Sequence, residues 1–251
     1  EMDEIPQPMP YQQRTGHRVG QYFGLIAEGL YNSWEEVNDA KRPASQWNNN
    51  KIQPGDIRYR DVNGDGIISE EDYVPIGYSN FPEQLYGLSL GANYKGFDFS
   101  ILFQGAAKVS TDLPSRAKIA FPLDIGAYRG LLESWSQERY DAGLPITYPH
   151  LAIGTDAQQH NYKESNYWIR DASYVRLKNL EIGYSLTASV LRRIGISAAR
   201  FYVNGNNLLT WDDLPPGIDP EQPVSIQGGD NNGAEPYPLV KTINFGLNLK
   251  F

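Results

Sequence analysis

Thr242-Ile243-Asn244-Phe245-Gly246-Leu247-Asn248-Leu249-Lys250-Phe251 carries an apolar residue at every odd position and a polar residue or glycine at every even one. Side chains of an extended chain point alternately to two faces, so this stretch reads as a strand with one apolar face and one wet face. A half-buried strand of a soluble sheet has the same signature. Alternation in one strand does not separate the two.

Working outward, Tyr86, Leu88, Leu90, Ala92 and Tyr94 form a second apolar row, opposite Leu85, Gly87, Ser89, Gly91 and Asn93. After a tight Lys95-Gly96 turn, Phe97, Phe99, Ile101 and Phe103 form a third, opposite Asp98, Ser100, Leu102 and Gln104. A soluble sandwich would have an aliphatic inner row and a charged outer row. Here the second row is mostly small or polar, and aromatics stand at the ends of the apolar one. That is the pattern of a strand crossing lipid, which needs about 9–11 residues with aromatic girdles at both interfaces. Tyr174 to Leu186 is a further strand with Leu180, Ile182, Tyr184 and Leu186 as its apolar row. Its first half, with Arg176 and Lys178 beside Val175 and Leu177, is out of phase with the second, which predicts a bulge there. Arg200 to Trp211 supplies another strand, and Leu247 in the last one is read as lipid-facing near mid-membrane.

The connections alternate in length. Lys95-Gly96 and Thr187–Ser197 (with one helical turn expected over Val190–Arg193) are short, whereas Gly105–Tyr167 and Asp212–Pro236 are long. Short turns at one end and long loops at the other describe an outer-membrane barrel with the long loops outside. A helix is expected over Ala127–Tyr140, a short capped helix over Ser33–Ala40, one more strand over Val19–Leu30, and a long loop over Pro43–Phe81. The fold class is therefore all-β: an antiparallel transmembrane β-barrel, with five or six of its strands in this chain and short helices in long extracellular loops. Five or six strands cannot enclose a lumen, since even small barrels use about eight. An open sheet in lipid would leave edge amides unpaired, so the rest of the barrel is expected beyond this chain.

Composition limits the alternatives. The 251 residues are 40% hydrophobic and 12% aromatic, and a net charge of −8 argues against a nucleic-acid partner. There is no cysteine for disulfide or thiolate chemistry, no leader pattern of basic start and apolar core at Glu1-Met2-Asp3-Glu4, and no run of about 20 apolar residues. Strands that alternate escape the last criterion.

The sharpest local motif is Asp61-Val62-Asn63-Gly64-Asp65-Gly66-Ile67-Ile68-Ser69-Glu70-Glu71-Asp72. It matches the twelve-residue calcium loop of EF-hands and dockerins. Asp61, Asn63 and Asp65 offer side-chain oxygens, Gly66 permits the turn, Ile67 offers its carbonyl, and Asp72 closes the shell. Asp at the last position, where EF-hands use Glu, leaves Ca2+ with Mg2+ as the alternative. The expected role is structural. The competing reading is a solvated acidic turn. Gly87-Leu88-Ser89-Leu90-Gly91 fits a nucleophile-elbow pattern, but the strand continues past Ser89 where that pattern needs a helix. His17, His150 and His160 lack ligand spacing to one another. No enzyme chemistry is expected.

Several collinear segments resemble the C-terminal region of the SusC/RagA family of TonB-dependent outer-membrane transporters. They are Val19–Gly24, Pro54–Gly66, Tyr94–Asp98, Phe103–Gly105, Tyr174–Leu180, Asn204–Leu208 and the final strand to Phe251. The resemblance implies that residues 1–251 are the C-terminal portion of a barrel of about 22 strands. The plug domain and remaining strands would lie outside this chain. It also implies TonB-driven import of oligosaccharides or peptides, a SusD-like surface lipoprotein as partner, and a place in the bacterial outer membrane. The rival readings are a secreted, calcium-stabilised β-sandwich that binds carbohydrate, and a polysaccharide-degrading enzyme.

Overall fold

In a computed structural model, the described residues are 6–47, 51–119, 128–151, 160–186, 195–221 and 239–251. They fall into two compact units, Glu1–Phe81 with Ser110–Asp171, and Pro82–Val109 with Ala172–Phe251.

The first unit is made of short pieces. Strands β1 (Gln21–Gly24) and β2 (Ala27–Leu30) are followed by helix α1 (Trp34–Val37), then β3 (Ala44–Ser45), β4 (Ile57–Tyr59), β5 (Ile67–Ile68) and β6 (Val74–Ser79). β1 pairs with β6, β2 with β4, and β3 runs parallel to β5. The single strand expected over Val19–Leu30 is thus two. The break falls at Leu25, which is fully buried and bridges to Ser165. Gly24 passes so close to Glu164 that a Cβ would stand 2.6 Å from its carbonyl oxygen. The expected capped helix shortens to α1, with Ser33 Oγ accepting from Glu36 N at 3.3 Å and the Glu36 carboxylate accepting from Asn32 N at 2.9 Å. The Pro43–Phe81 stretch, expected as loop, holds four of these short strands.

The second half of this unit starts after strands β7 (Gln84–Tyr94) and β8 (Phe97–Ala107). It contains β9 (Ser110–Asp112), helices α2 (Ser115–Lys118) and α3 (Gln137–Asp141), and β10 (Ile169–Asp171), which pairs with β9. The helix expected over Ala127–Tyr140 is broken: Ala127 lies outside the described residues, Arg129–Glu133 is a 3-10 turn, and α3 starts afresh at its Ser136 cap. Between them, Trp135 N donates to Tyr148 O at 2.9 Å, which takes that stretch out of the helix. The core joins both segments of the unit. Leu25, Ile57 and Trp168 have no exposed surface, and the Trp168 indole donates to Asn161 O at 2.6 Å.

The second unit is one antiparallel sheet. With β11 (Tyr174–Ser185), β12 (Ala198–Asp212) and β13 (Thr242–Lys250), its order is β13-β12-β11-β8-β7. The β7–β8 turn has Lys95 at φ 47° and Gly96 at φ 88°. Positive φ at both central residues defines the type I′ turn whose twist matches a two-residue hairpin. The register of β11 against both neighbours shifts between Leu177 and Asn179, so the expected bulge is centred on Lys178. Among the described residues the sheet is open, with β7 and β13 as its edges and no closed barrel. The helical turn expected over Val190–Arg193 lies outside the described residues.

Candidate functional site

Strand pairing brings the alternating rows of the sequence into register. Tyr94, Phe97, Tyr184, Phe201 and Leu247 lie side by side across all five strands. The next rows are Ala92-Phe99-Ile182-Val203-Phe245 and Leu90-Ile101-Leu180-Gly205-Ile243. Beyond them come Leu88-Phe103-Leu177-Leu209 and then Tyr86-Gly105-Val175-Trp211. The bulge at Lys178 makes this continuity possible, because it puts Leu177 and Leu180 on one face despite their odd spacing.

Much of this face is open: Phe245 is 81% exposed, Tyr94 69% and Leu90 52%, while Leu177 is buried. Soluble proteins rarely leave so large a contiguous apolar patch in water. Aromatics mark both rims. Tyr94, Phe97, Tyr184 and Phe201 stand at the hairpin end, where the Phe97 and Tyr184 rings are 4.5 Å apart. Tyr86 and Trp211 stand at the other. Eight residues separate Tyr86 from Tyr94, about 27 Å along the strand, or about 20 Å of height at a 40° tilt. Leu247 therefore lies in the rim row and not, as the sequence suggested, near mid-height. The mid-height residue of β13 is Ile243.

The opposite face is polar. Asp98, Gly183, Tyr202 and Gly246 share one row, and Ser100, Glu181, Asn204 and Asn244 the next. Arg200 reaches over Gly183 to hydrogen-bond both Asp98 and Glu181. A Cβ on Gly183 would stand 2.6 Å from Arg200 Nε, so the glycine makes room for this ion-pair network. Asn244 Nδ2 donates to Asn204 Oδ1 at 2.9 Å, continuing the network to the last strand. Nothing in the sequence marked Arg200, Asp98 and Glu181 as partners. Ser89 lies in the middle of β7, which continues to Tyr94 with no helix after it.

In the first unit, the Asp61–Asp72 turn is fastened by its own side chains. Asp61 accepts from Gly64 N at 2.6 Å and Gly66 N at 2.7 Å, Asn63 Oδ1 from Asp65 N at 3.0 Å, and Asp65 Oδ1 from Ile67 N at 2.7 Å. Asp72 is fully buried, with Oδ1 accepting from Val62 N at 2.7 Å and Oδ2 from Ser69 N at 2.8 Å. The β3–β5 pairing takes the Gly66 and Ile68 carbonyls, so that of Ile67 points away from β3. The carboxylate oxygens of Asp61 and Asp65 each accept one bond and keep a lone pair, whereas Asp72 Oδ1 accepts from both Val62 N and Asn63 N. Among the described residues, no three acidic or histidine side chains are gathered as a ready-made metal cage.

The histidines serve other ends. His160 is buried, with Nε2 donating to Ile57 O at 2.7 Å and Nδ1 2.8 Å from Ser45 Oγ. Burial lowers its pKa below the ordinary imidazole value. His150 Nδ1 lies 2.9 Å from buried Asp56. The same unit has an open cleft of about 1020 Å³, lined among others by Phe23, Tyr73, Tyr162, Arg14 and Glu164. Burial, then the nearby Asp112 charge, raises the Glu164 carboxyl above its usual range.

An apolar wall with a polar lining, carried by a few long strands, invites comparison with known proteins. No family model matches the chain. TonB-dependent receptor P3 of Formosa agariphila is 31% identical over 247 residues, which are 95% of this chain and 23% of that protein. This chain is a homologue of part of a TonB-dependent receptor. TonB-dependent receptor SusC of Bacteroides thetaiotaomicron is 28% identical over 210 residues, 79% of this chain and 18% of that protein. The chain thus spans about a quarter or less of the receptors it matches. The structure of the RagAB peptide importer in its open-open state superposes with a TM-score of 0.58, over 92% of this chain and 22% of that one. At 22% identity that likeness speaks for the fold.

Proposed function

We propose that this chain forms the C-terminal strands of an outer-membrane TonB-dependent transporter that imports large nutrients. The observation that carries the reading is the set of apolar rows in register across the sheet, rimmed by aromatics and backed by a polar, ion-paired face. Lipid covers the first face. The lumen, filled by a plug from outside this chain, meets the second. The long connections leave from the strand ends opposite the Lys95-Gly96 turn, so in this reading that turn lies on the periplasmic side and the long connections lie outside the cell. There a SusD-like lipoprotein would cap the barrel, and TonB would supply energy through the plug.

The cleft beside Phe23, Tyr73 and Tyr162 mixes rings with charged and amide groups. Such a lining suits oligosaccharide and peptide alike, so the cargo belongs to one of those two classes. In the same reading the Asp61–Asp72 turn takes Ca2+ through Asp61, Asn63, Asp65, the Ile67 carbonyl and Asp72. The ion would stiffen the turn and supply no chemistry.

The test is heat-modifiability on gels, with circular dichroism, of the complete protein purified from outer membranes in detergent. A β-rich species that migrates faster unheated than boiled is the expected result. A chain that folds as a detergent-free soluble monomer would overturn the reading and favour the calcium-stabilised sandwich.

A further inference from the structure

Arg176 is 1% exposed although it stands on the polar face of β11. Burying a guanidinium costs several kcal/mol unless partners compensate it, and a plain barrel wall has no need of one. Its cover is the chain that leaves β12. Leu214 N donates to Asp212 Oδ1 at 3.0 Å, and Ile218 N to Pro215 O at 3.1 Å with Gly217 at φ 90°. This is a type II turn with proline and glycine at the positions it favours. It sends the chain back over the sheet.

The returning chain supplies two carboxylates. Asp219 Oδ1 accepts from Arg176 Nη2 at 2.6 Å and from Glu221 N at 2.9 Å, and its Oδ2 accepts from Leu239 N at 3.2 Å. Glu221 accepts from Tyr174 OH at 2.9 Å and from Lys178 Nζ at 2.7 Å, while Arg176 Nη1 lies 3.2 Å from the same Glu221 oxygen, off hydrogen-bond alignment. Arg176 is steadied from below by Thr210 Oγ1 at 3.0 Å and by the Tyr174 ring, 5.6 Å away. Two cations face two carboxylates, so the cluster is neutral. The bulge has a second consequence at this point: it lets Lys178 join Arg176 on the polar face without turning Leu180 away from the apolar one.

We infer that Asp219 is a latch. It ties the outgoing foot of the last long connection, Glu221, to its incoming foot, Leu239, and ties both to the wall through Arg176. Resting on the barrel reading above, this makes the base of that connection a fixed part of the lumen lining at the outer end. Because Leu239 leads directly into β13, the latch also sets where the terminal strand begins its pairing with β12.

The experiment is hydrogen exchange by mass spectrometry on the complete protein in detergent, comparing wild type, Asp219→Ala and Glu221→Gln. In Asp219→Ala the amides of Glu221 and Leu239 exchange at least about tenfold faster, together, while those of Phe245 and Leu247 in β13 keep their wild-type rates. Glu221→Gln, the milder change, moves the same two amides in the same direction. Unchanged rates in both variants, or acceleration at Glu221 without Leu239, overturn the latch. If Asp219→Ala fails to fold, Glu221→Gln decides alone. A wild-type protein that is not heat-modifiable defeats the barrel reading, while the exchange rates still report on the latch.

Discussion

Depth in the bilayer, read from strand register, makes a paired prediction within one strand. Ile243 belongs to the row of Leu90, Ile101 and Leu180, midway between the aromatic rims, and Leu247 belongs to the rim row of Tyr94 and Phe201. Four residues separate them, about 14 Å along the strand and about 10 Å in depth at a 40° tilt. Both side chains are open to the surroundings, at 62% and 49% exposure, so neither substitution meets a packed core. An arginine at the midplane of a barrel's lipid face costs about 2–4 kcal/mol, and one near the interface about 0–1 kcal/mol. Ile243→Arg should therefore destabilise the barrel by about 2–3 kcal/mol more than Leu247→Arg, a factor of roughly 30 to 150 in the folding equilibrium. The assay is reversible denaturant titration of the complete protein folded into lipid vesicles, with outer-membrane abundance as a check in cells. Equal costs for the two variants would refute the depth assignment. Two neutral variants would refute the lipid-facing reading of the whole row.

Lys95→Asn should stabilise the β7–β8 hairpin by a few tenths of a kcal/mol up to about 1, because asparagine tolerates the left-handed conformation Lys95 adopts better than lysine does; the same titration reads it. Chelation of Ca2+ should speed proteolysis within Asp61–Asp72 if the turn holds the ion, with Asp61→Asn removing the difference; equal cleavage with and without chelator would leave only the self-fastened turn. His160 carries a pKa below its ordinary 6.5 because burial disfavours the charged ring. The unfolded chain then binds more protons below pH 6.5, so this residue's contribution is complete above that value and is lost as pH falls through the lowered pKa. Protease resistance of the first unit should fall on acidification through that window, and His160→Gln should flatten the fall; an unchanged profile in the variant would assign the acid sensitivity elsewhere.

The wall was legible in the sequence because its two faces meet different surroundings, and a period of two records that difference residue by residue. The turn at Lys95-Gly96 and the phase slip beside Lys178 were legible for the same reason, as places where the period resets. Register between strands was not. Arg200 meets Asp98 only because β11 lies between their strands and places side-chain-free Gly183 under the guanidinium. No local pattern encodes a partner 102 positions away. The first unit was harder still. Its strands are two to six residues long and its order comes from buried Trp168, Asp56 and His160, so Val19–Leu30 looked like one strand and Ala127–Tyr140 like one helix. The acidic stretch announces a turn by its residue types, while its fastening by backbone amides is a matter of geometry that residue types leave open.

The core of that first unit is shared between two stretches of chain far apart in sequence. Leu25 pairs with Ser165, Ile57 N donates to Asn161 Oδ1, and Ala27 N donates to Asn166 Oδ1. Neither stretch can shed its partner without exposing Leu25, Ile57 or the Trp168 indole to water. Anyone transplanting this unit into a homologous chain would have to move Glu1–Phe81 and Ser110–Asp171 as a matched set. Evolution faces the same constraint: variation in one stretch is tolerated to the extent that the other fits it, so the pair should be inherited together and diversify as one cassette.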